Sequence, residues 1–434
     1  MFAFLLVVAM LTGVLLGLAP ALRATRSSSV GTLHAESRMS APGGGVLSLR
    51  GGLTLLQVAL SLPLLVGAGL FLQSLRNLEG MDTGFQKENI LLATLNPALN
   101  GYPQARIHSL YADLLAQLRA QPGVRAASLT TNPPISGGWD MDSVVVEGYQ
   151  PHQGEDMSPY WAAVSTDYFK TLGIPLLAGR EFTDQDAAGA PKVAIINETM
   201  AHYFFKDANP LGRRIGLDKI PDTEIVGVVK DAKYTNLREE TPRHMYMPTM
   251  QQDRLFDLTL AVRTAGDPRA AVDMVRSVTA HVDPHLPIYG VTTLEDQIDV
   301  SLTADRMIAW LSSLFGMLAT LLSAIGLYGV VAYSAERRTR EIGIRIALGA
   351  IHGDVIWLVM REVVLLVAVG TAVGLAASFA LTRYVQSQLF GVGQNDPLTI
   401  ALATITLAAV GSLAGYIPAL RASRTDPMQA LRYE

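Results

Sequence analysis

Five stretches of this chain run for membrane-spanning length with little or no charge: roughly 1–22, 52–75, 307–334, 355–381 and 398–420. About 20 apolar residues in an α-helix, rising about 1.5 Å each, cross the ~30 Å of hydrocarbon in a bilayer. These runs constrain the fold more tightly than anything else in the chain, because backbone in lipid must satisfy its own hydrogen bonds and a helix does so within one segment. Apolar residues make up 50% of the sequence, charged residues 17%, and mean hydropathy is +0.28. That is too apolar for an ordinary soluble protein and too polar for a chain wholly in lipid. The polar remainder falls mainly between the second and third runs, at 76–306, which contains no spanning stretch and reads as a large soluble domain.

Charge placement sets an expected topology. Every lysine lies in 76–306, where acidic residues outnumber basic ones, whereas the short segments beside the runs carry arginine. Arg23, Arg26, Arg38 and Arg50 follow the first run; Arg337, Arg338, Arg340 and Arg345 follow the third; Arg421, Arg424 and Arg432 follow the fifth. The loop between the fourth and fifth runs, Gln386 to Pro397, has neither Lys nor Arg. By the positive-inside tendency the three arginine-bearing segments are cytoplasmic and 76–306 is outside, with Met1 outside and Glu434 inside. The first run has no basic residue ahead of it and its positive charge behind it, opposite to a secretory signal, so a retained helix is expected at 1–22. Residues 23–51, rich in Ser and Gly, read as a cytoplasmic linker.

One phrase occurs twice: Pro20-Ala-Leu-Arg-Ala-Thr-Arg26 and Pro418-Ala-Leu-Arg-Ala-Ser-Arg424, with Gly13 and Gly17 in register with Gly411 and Gly415. Each copy closes an apolar run, as expected of a duplicated membrane unit in which 1–22 is the last helix of an earlier copy. The fold expected is thus a membrane α-helical bundle, one complete four-helix unit plus one extra N-terminal helix, with a large α+β domain of two subdomains. Its divisions are 1–22, 23–51, 52–75, 76–306, a three-helix segment at 307–420, and a cytoplasmic tail at 421–434.

Within 76–306, helical spacing is read at 103–121, 166–172, 197–205, 268–281 and 293–301, and strands at 126–130, 143–147, 193–196, 224–229 and 258–263. Asn197 and Thr293 are placed to cap helices. Pro63 within the second run is expected to bend that helix.

Chemistry-bearing motifs are sparse. No cysteine is present, which removes disulfides and thiol nucleophiles. Neither a Gly-x4-Gly-Lys-[Ser/Thr] loop, a His-Glu-x-x-His helix nor a Gly-x-Ser-x-Gly elbow occurs. His281 and His285 are separated by Pro284, which breaks ligand spacing on a helix, and Glu181, Asp184 and Asp186 read as a solvated loop rather than a cation site. Catalytic, cofactor and metal residues are therefore expected to be absent, and the chain is read as no enzyme. The spans hold almost no ionisable group, Arg361, Glu362 and Arg383 lying near their ends, which disfavours a self-contained ion-coupled transporter. Gly370 with Gly374, and Gly411 with Gly415, place two glycines one turn apart for close helix packing.

The segment Glu336-Arg-Arg-Thr-Arg-Glu-Ile-Gly-Ile-Arg-Ile-Ala-Leu-Gly349 stands out. Glu341 and Arg345 are four apart and Ile342, Ile346 and Gly349 share a face, so a short amphipathic helix along the inner membrane surface is expected. A solvated basic loop that only fixes topology is the plainer reading.

These residues resemble a permease of the MacB/FtsX superfamily. The segment 337–349 resembles the family's loop after its second transmembrane helix, and 418–431 its C-terminal signature. Val164-Ser-Thr-Asp-Tyr-Phe169, Gly179-Arg180, Val193-Ala-Ile-Ile-Asn197, Pro210-Leu-Gly212 and Ile225-Val-Gly-Val-Val229 are similar to the periplasmic core domain of MacB-like proteins. The extra first helix points to the second half of a duplicated orphan permease, the ADOP group. The resemblance implies a multi-pass protein of the bacterial inner membrane with 76–306 periplasmic. It implies an ATPase-coupling loop at Arg337, Arg338, Arg340, Glu341, Gly343, Arg345 and Gly349, served by a separate P-loop ATPase on the cytoplasmic side. It further implies a second permease unit, in a homo- or heterodimer, surrounded by membrane lipid and without nucleic acid. The function expected is non-catalytic: ATP hydrolysis by the partner is coupled to periplasmic work, the export of a drug, peptide or lipid-linked molecule. The alternative is a signalling or scaffold protein regulating a periplasmic partner.

Overall fold

The computed structural model describes residues 49–424 except 139, 218–219, 256 and 394–395. The first apolar run, its copy of the repeated phrase, the linker through residue 48 and the tail from 425 lie outside the described residues. In chain order, helix α1 (Leu49–Glu79) leads into β1 (Ile90–Leu95), α2 (Gln104–Arg119), β2 (Val124–Thr130), β3 (Asp140–Met141), β4 (Val145–Val146), β5 (Tyr160–Val164) and α3 (Tyr168–Leu172). There follow β6 (Leu176–Gly179), β7 (Val193–Asn197), α4 (Glu198–Phe205), β8 (Arg214–Gly216), β9 (Thr223–Val229), β10 (His244–Pro248) and β11 (Leu258–Thr264). The sheet-bearing part closes with α5 (Val272–Val282), β12 (Ile288–Thr293) and α6 (Leu294–Ser301), and the chain continues through α7 (Thr303–Arg337), α8 (Thr339–Ala347), α9 (His352–Val385) and α10 (Pro397–Ser423).

Among the described residues four helices are long and apolar enough to cross a membrane: α1, α7, α9 and α10. Each runs past its charge-free stretch at both ends. Large apolar side chains such as Leu56, Leu60, Trp310, Leu321, Leu365 and Leu402 stand exposed on them, as lipid-facing positions would. Pro63 is accommodated inside an uninterrupted α1.

The described residues fall into two compact units. One holds the helix segments through Ala59, Leu321–Val373 and from Leu407 on, with α8 among them. The other holds Leu60–Thr320 with Gly374–Thr406, and contains the whole sheet.

That sheet has twelve strands in the order β12-β1-β11-β2-β5-β10-β7-β9-β8-β4, with β3 on β5 and β6 on β9. Parallel pairing occurs for β5 with β10 and β7 with β9; the remaining pairs are antiparallel. A single register pair, Thr130↔Val164, joins β2 to β5. Everything from β3 to β10 is therefore an insertion between two neighbouring antiparallel strands, β2 and β11. Period-two alternation splits β1 between cores: Leu91 and Leu95 meet α2 and α5 through Ile107, Leu114 and Val275, while Ile90 and Leu92 join a cluster with Leu172, Tyr246 and Leu294. A third cluster, including Ile196, Met200, Ile215 and Ile225, lies in the insertion.

The caps fall where sequence places them. Asn197 Oδ1 accepts from the Met200 N–H and the Thr293 hydroxyl oxygen accepts from the Asp296 N–H. The strand expected at 143–147 shrinks to Val145–Val146. The helix expected from 268 begins as a 3-10 turn, Pro268–Ala271, before α5.

Candidate functional site

The site is built from the last turn of α7, all of α8 and the facing turn of α9. Arg338, in the junction between α7 and α8, sends Nη2 to 2.7 Å from Glu362 Oε1 on α9. Ser334 Oγ donates to the other carboxylate oxygen at 2.8 Å. Glu362 is 17% exposed, so this ion pair is substantially removed from water and its two acceptor atoms are both used. Arg337 takes a different course and lies over the Tyr333 ring at 4.9 Å.

On α8 itself Ile342 and Gly343 are buried. The opposite side presents Arg340, Ile344 and Leu348, and Glu341 holds Arg345 at 2.7 Å across one turn. The helix ends on Gly349 at φ +97°. Its N–H reaches the Ile346 carbonyl at 3.0 Å and the Ala350 N–H reaches the Arg345 carbonyl at 2.9 Å. This double closure needs a left-handed residue after the last turn, which is what a glycine supplies. Beside α8 a groove of about 270 Å³ is lined by Tyr328, Glu336, Ile342, Pro418 and Arg421. Arg421 Nη1 donates to the Tyr328 hydroxyl at 3.0 Å.

Three of the four paired glycines, Gly370, Gly411 and Gly415, occupy close helix contacts. A Cβ at Gly370 would fall 2.6 Å from Val58 Cγ1 of α1; at Gly411, 2.8 Å from Val367 Cγ2; and at Gly415, 2.6 Å from Val363 Cγ2, both of α9. Gly374 is buried, and its carbonyl accepts from Ser378 Oγ at 2.8 Å.

Of the loop residues singled out in sequence, Arg337 and Arg338 turn back onto helices, while Arg340, Glu341 and Arg345 form one exposed face. Glu362 and Ser334 were missed as its anchors. The available signal was a lone carboxylate inside an apolar run, which needs a partner wherever it is found.

The weaker candidates resolve into structural contacts. Burial raises the Asp186 carboxyl, but Arg180, bidentate at 2.7 and 2.8 Å, and the Thr183 N–H outweigh it and hold the group below the usual carboxylate range. Asp283, between His281 and His285, accepts from the Tyr102 hydroxyl at 2.5 Å and from Arg106 at 3.3 Å.

Residues 313–427 match the family model of the FtsX-like permease C-terminal region, and residues 52–278 match that of the MacB-like periplasmic core domain. The chain belongs to the MacB/FtsX superfamily of ABC permeases. It is 28% identical over 292 residues to the probable syringafactin export ATP-binding/permease protein SyfD of Pseudomonas syringae pv. tomato, covering 64% of this chain and 43% of SyfD. It is 25% identical over 358 residues to the uncharacterized ABC transporter permease YknZ of Bacillus subtilis, covering 78% and 88%. It is 27% identical over 399 residues to the macrolide export ATP-binding/permease protein MacB 1/2 of Paracoccus denitrificans, covering 88% and 56%. The chain thus spans about half the length of the ATP-binding/permease relatives and most of YknZ. The permease is a membrane protein with a periplasmic segment.

Proposed function

We propose that the permease is the non-catalytic membrane subunit of a MacB-like system in the bacterial inner membrane, passing movement from a separate P-loop ATPase to the domain at 76–306. The work done is export of a drug, peptide or lipid-linked molecule. The observation that carries this reading is the construction of α8: pinned to α9 by Arg338 and Glu362 on one side and offering Arg340, Ile344, Arg345 and Leu348 on the other. A short helix that is anchored behind and exposed in front can be pushed by a partner without unfolding. Relatives that join an ATP-binding half to a permease half in one chain support the kind of partner, and their names support the class of cargo. The glycine positions and the arginine-bearing segments fit five crossings, with α8 and 421–434 cytoplasmic, 1–22 an added helix, and a second unit completing a homo- or heterodimer in lipid. The domain is read as two subdomains, the insertion 131–256 and the strands and helices around it.

The test is copurification from membranes with a co-expressed P-loop ATPase of the MacB-like type. Arg340→Glu with Ile344→Asp should abolish recovery of the ATPase while membrane insertion of the permease is unchanged. A complex whose assembly and ATP turnover ignore that double variant would overturn the assignment of α8.

A further inference from the structure

Between β9 and β10 the chain leaves the sheet for residues 230–243 before returning. Its first residues fasten to the segment just beyond α1. Lys230 Nζ lies 2.8 Å from Asp82, and the Lys233 N–H donates to the Thr83 carbonyl at 2.9 Å. Gly84, at φ +79°, lies so close that a Cβ there would sit 2.0 Å from the Asp231 carbonyl oxygen. Leu237 is buried in one cluster with Leu78 of α1 and Leu302, which directly precedes α7.

Arg238 then reaches two further helix ends at once. Its guanidinium pairs with Asp305 in the first turn of α7, and Nη1 donates at 2.7 Å to the carbonyl of Gln388 in the turn that follows α9. That turn is itself held to α1, where Ser74 Oγ accepts from the Phe390 N–H at 2.9 Å and Asn77 Nδ2 donates to the Gly391 carbonyl at 3.0 Å. The loop keeps its form because Asn236 Oδ1 accepts from the Arg238 and Glu239 N–H groups, each at 2.9 Å. One planar, multi-donor side chain therefore bridges α7 and the α9–α10 turn, a task the single ammonium of lysine cannot perform in the same geometry.

We infer that residues 230–239 are a clasp by which the membrane helices move the inserted half of the soluble domain, with Arg238 as its positioning residue. The inference rests on the coupling reading above. Within the sheet the inserted half meets β2 through one register pair, and beside it, on the β2–β11 side, Arg119 and Arg263 donate to the Thr166 and Thr171 carbonyls. The clasp instead joins the ends of β9 and β10, both interior strands of the sheet, so a shift of the helix ends is delivered to the middle of the inserted half.

The experiment uses the full chain with its ATPase in lipid nanodiscs, comparing the wild type with Arg238→Gln and, independently, Asp305→Asn. Hydrogen exchange in peptides spanning 230–241 and 386–391 should quicken at least ten-fold in Arg238→Gln, with exchange in β7 and β9 unchanged. Spin labels at Gln153 and Val300 should report a distance change on ATP binding in the wild type that falls by at least half in both variants. Unchanged exchange, or equal distance changes in wild type and variants, overturns the clasp and leaves the coupling reading standing. A wild type that binds ATP through its partner and shows no distance change overturns the coupling reading itself.

Discussion

His244 is a cost carried in the middle of the sheet. It is 3% exposed, stacks on Tyr234 at 4.1 Å, and neither ring nitrogen meets a hydrogen-bonding partner among the described residues. Burial pushes its pKa down to about 3, against an ordinary value of 6.5. The folded state therefore resists a proton that the unfolded chain accepts, so stability is full above about pH 6.5 and falls as the pH drops toward 3. At pH 5 the loss from this one group is about 2 kcal/mol. We expect His244→Phe to match the wild type near pH 7.5 in thermal melts and to exceed it increasingly below pH 6; parallel melting curves across that range would refute the assignment. The Arg338–Glu362 pair carries a different liability, since removing one partner strands the other. Arg338→Ala should cost about 2 kcal/mol, and adding Glu362→Gln should recover most of it. Thermal melts in detergent of the two single variants and the double variant measure that coupling, and additive losses would show that the pair does not act as one.

At the level of elements, the contacts of α10 explain its glycines better than any property of glycine alone. Gly415→Ile must displace Val363, and Gly411→Ile must displace Val367, each costing about 2 kcal/mol or more. Gly329, on α7, has no atom within 4 Å of an added Cβ and is the matched control. The expected result is loss of monodisperse protein on size exclusion for the α10 variants alone. These spacings were legible because helix packing follows a local rule, one turn between small residues. The same locality made α8 legible through Glu341 and Arg345, and made the caps at Asn197 and Thr293 legible through their offsets. Strands β1 and β10 were not anticipated because Ile90–Leu95 is mostly Leu and Ala and His244–Pro248 has no β-branched residue, whereas β7, equally buried, carries Val193, Ile195 and Ile196. Glu362 was seen but left without a partner, because the side chain that neutralises it belongs to another element beyond a turn.

Across the whole molecule the spans were legible from charge-free length, while the sheet order was not, since β1 pairs with β11 and β12 through contacts far apart in sequence. The topology has a direct test in the lysines, all of which lie in 76–306. An amine-reactive reagent that cannot cross the bilayer should label the permease in intact spheroplasts as fully as after detergent lysis; labelling that requires lysis would invert the proposed orientation. The insertion between β2 and β11 has a further consequence. Thr130 and Thr259 are register partners, so the chain departs into 131–256 and comes back at adjacent points about 5 Å apart. A segment entered and left through one narrow doorway can be lengthened, shortened or exchanged with no change in the span of its supports. Evolution can therefore exchange the inserted half as one unit so long as the clasp at 230–239 still finds its partners, and chimaeras cut at those two threonines should succeed only where Asp305 and the turn at Gln388 match the incoming Arg238.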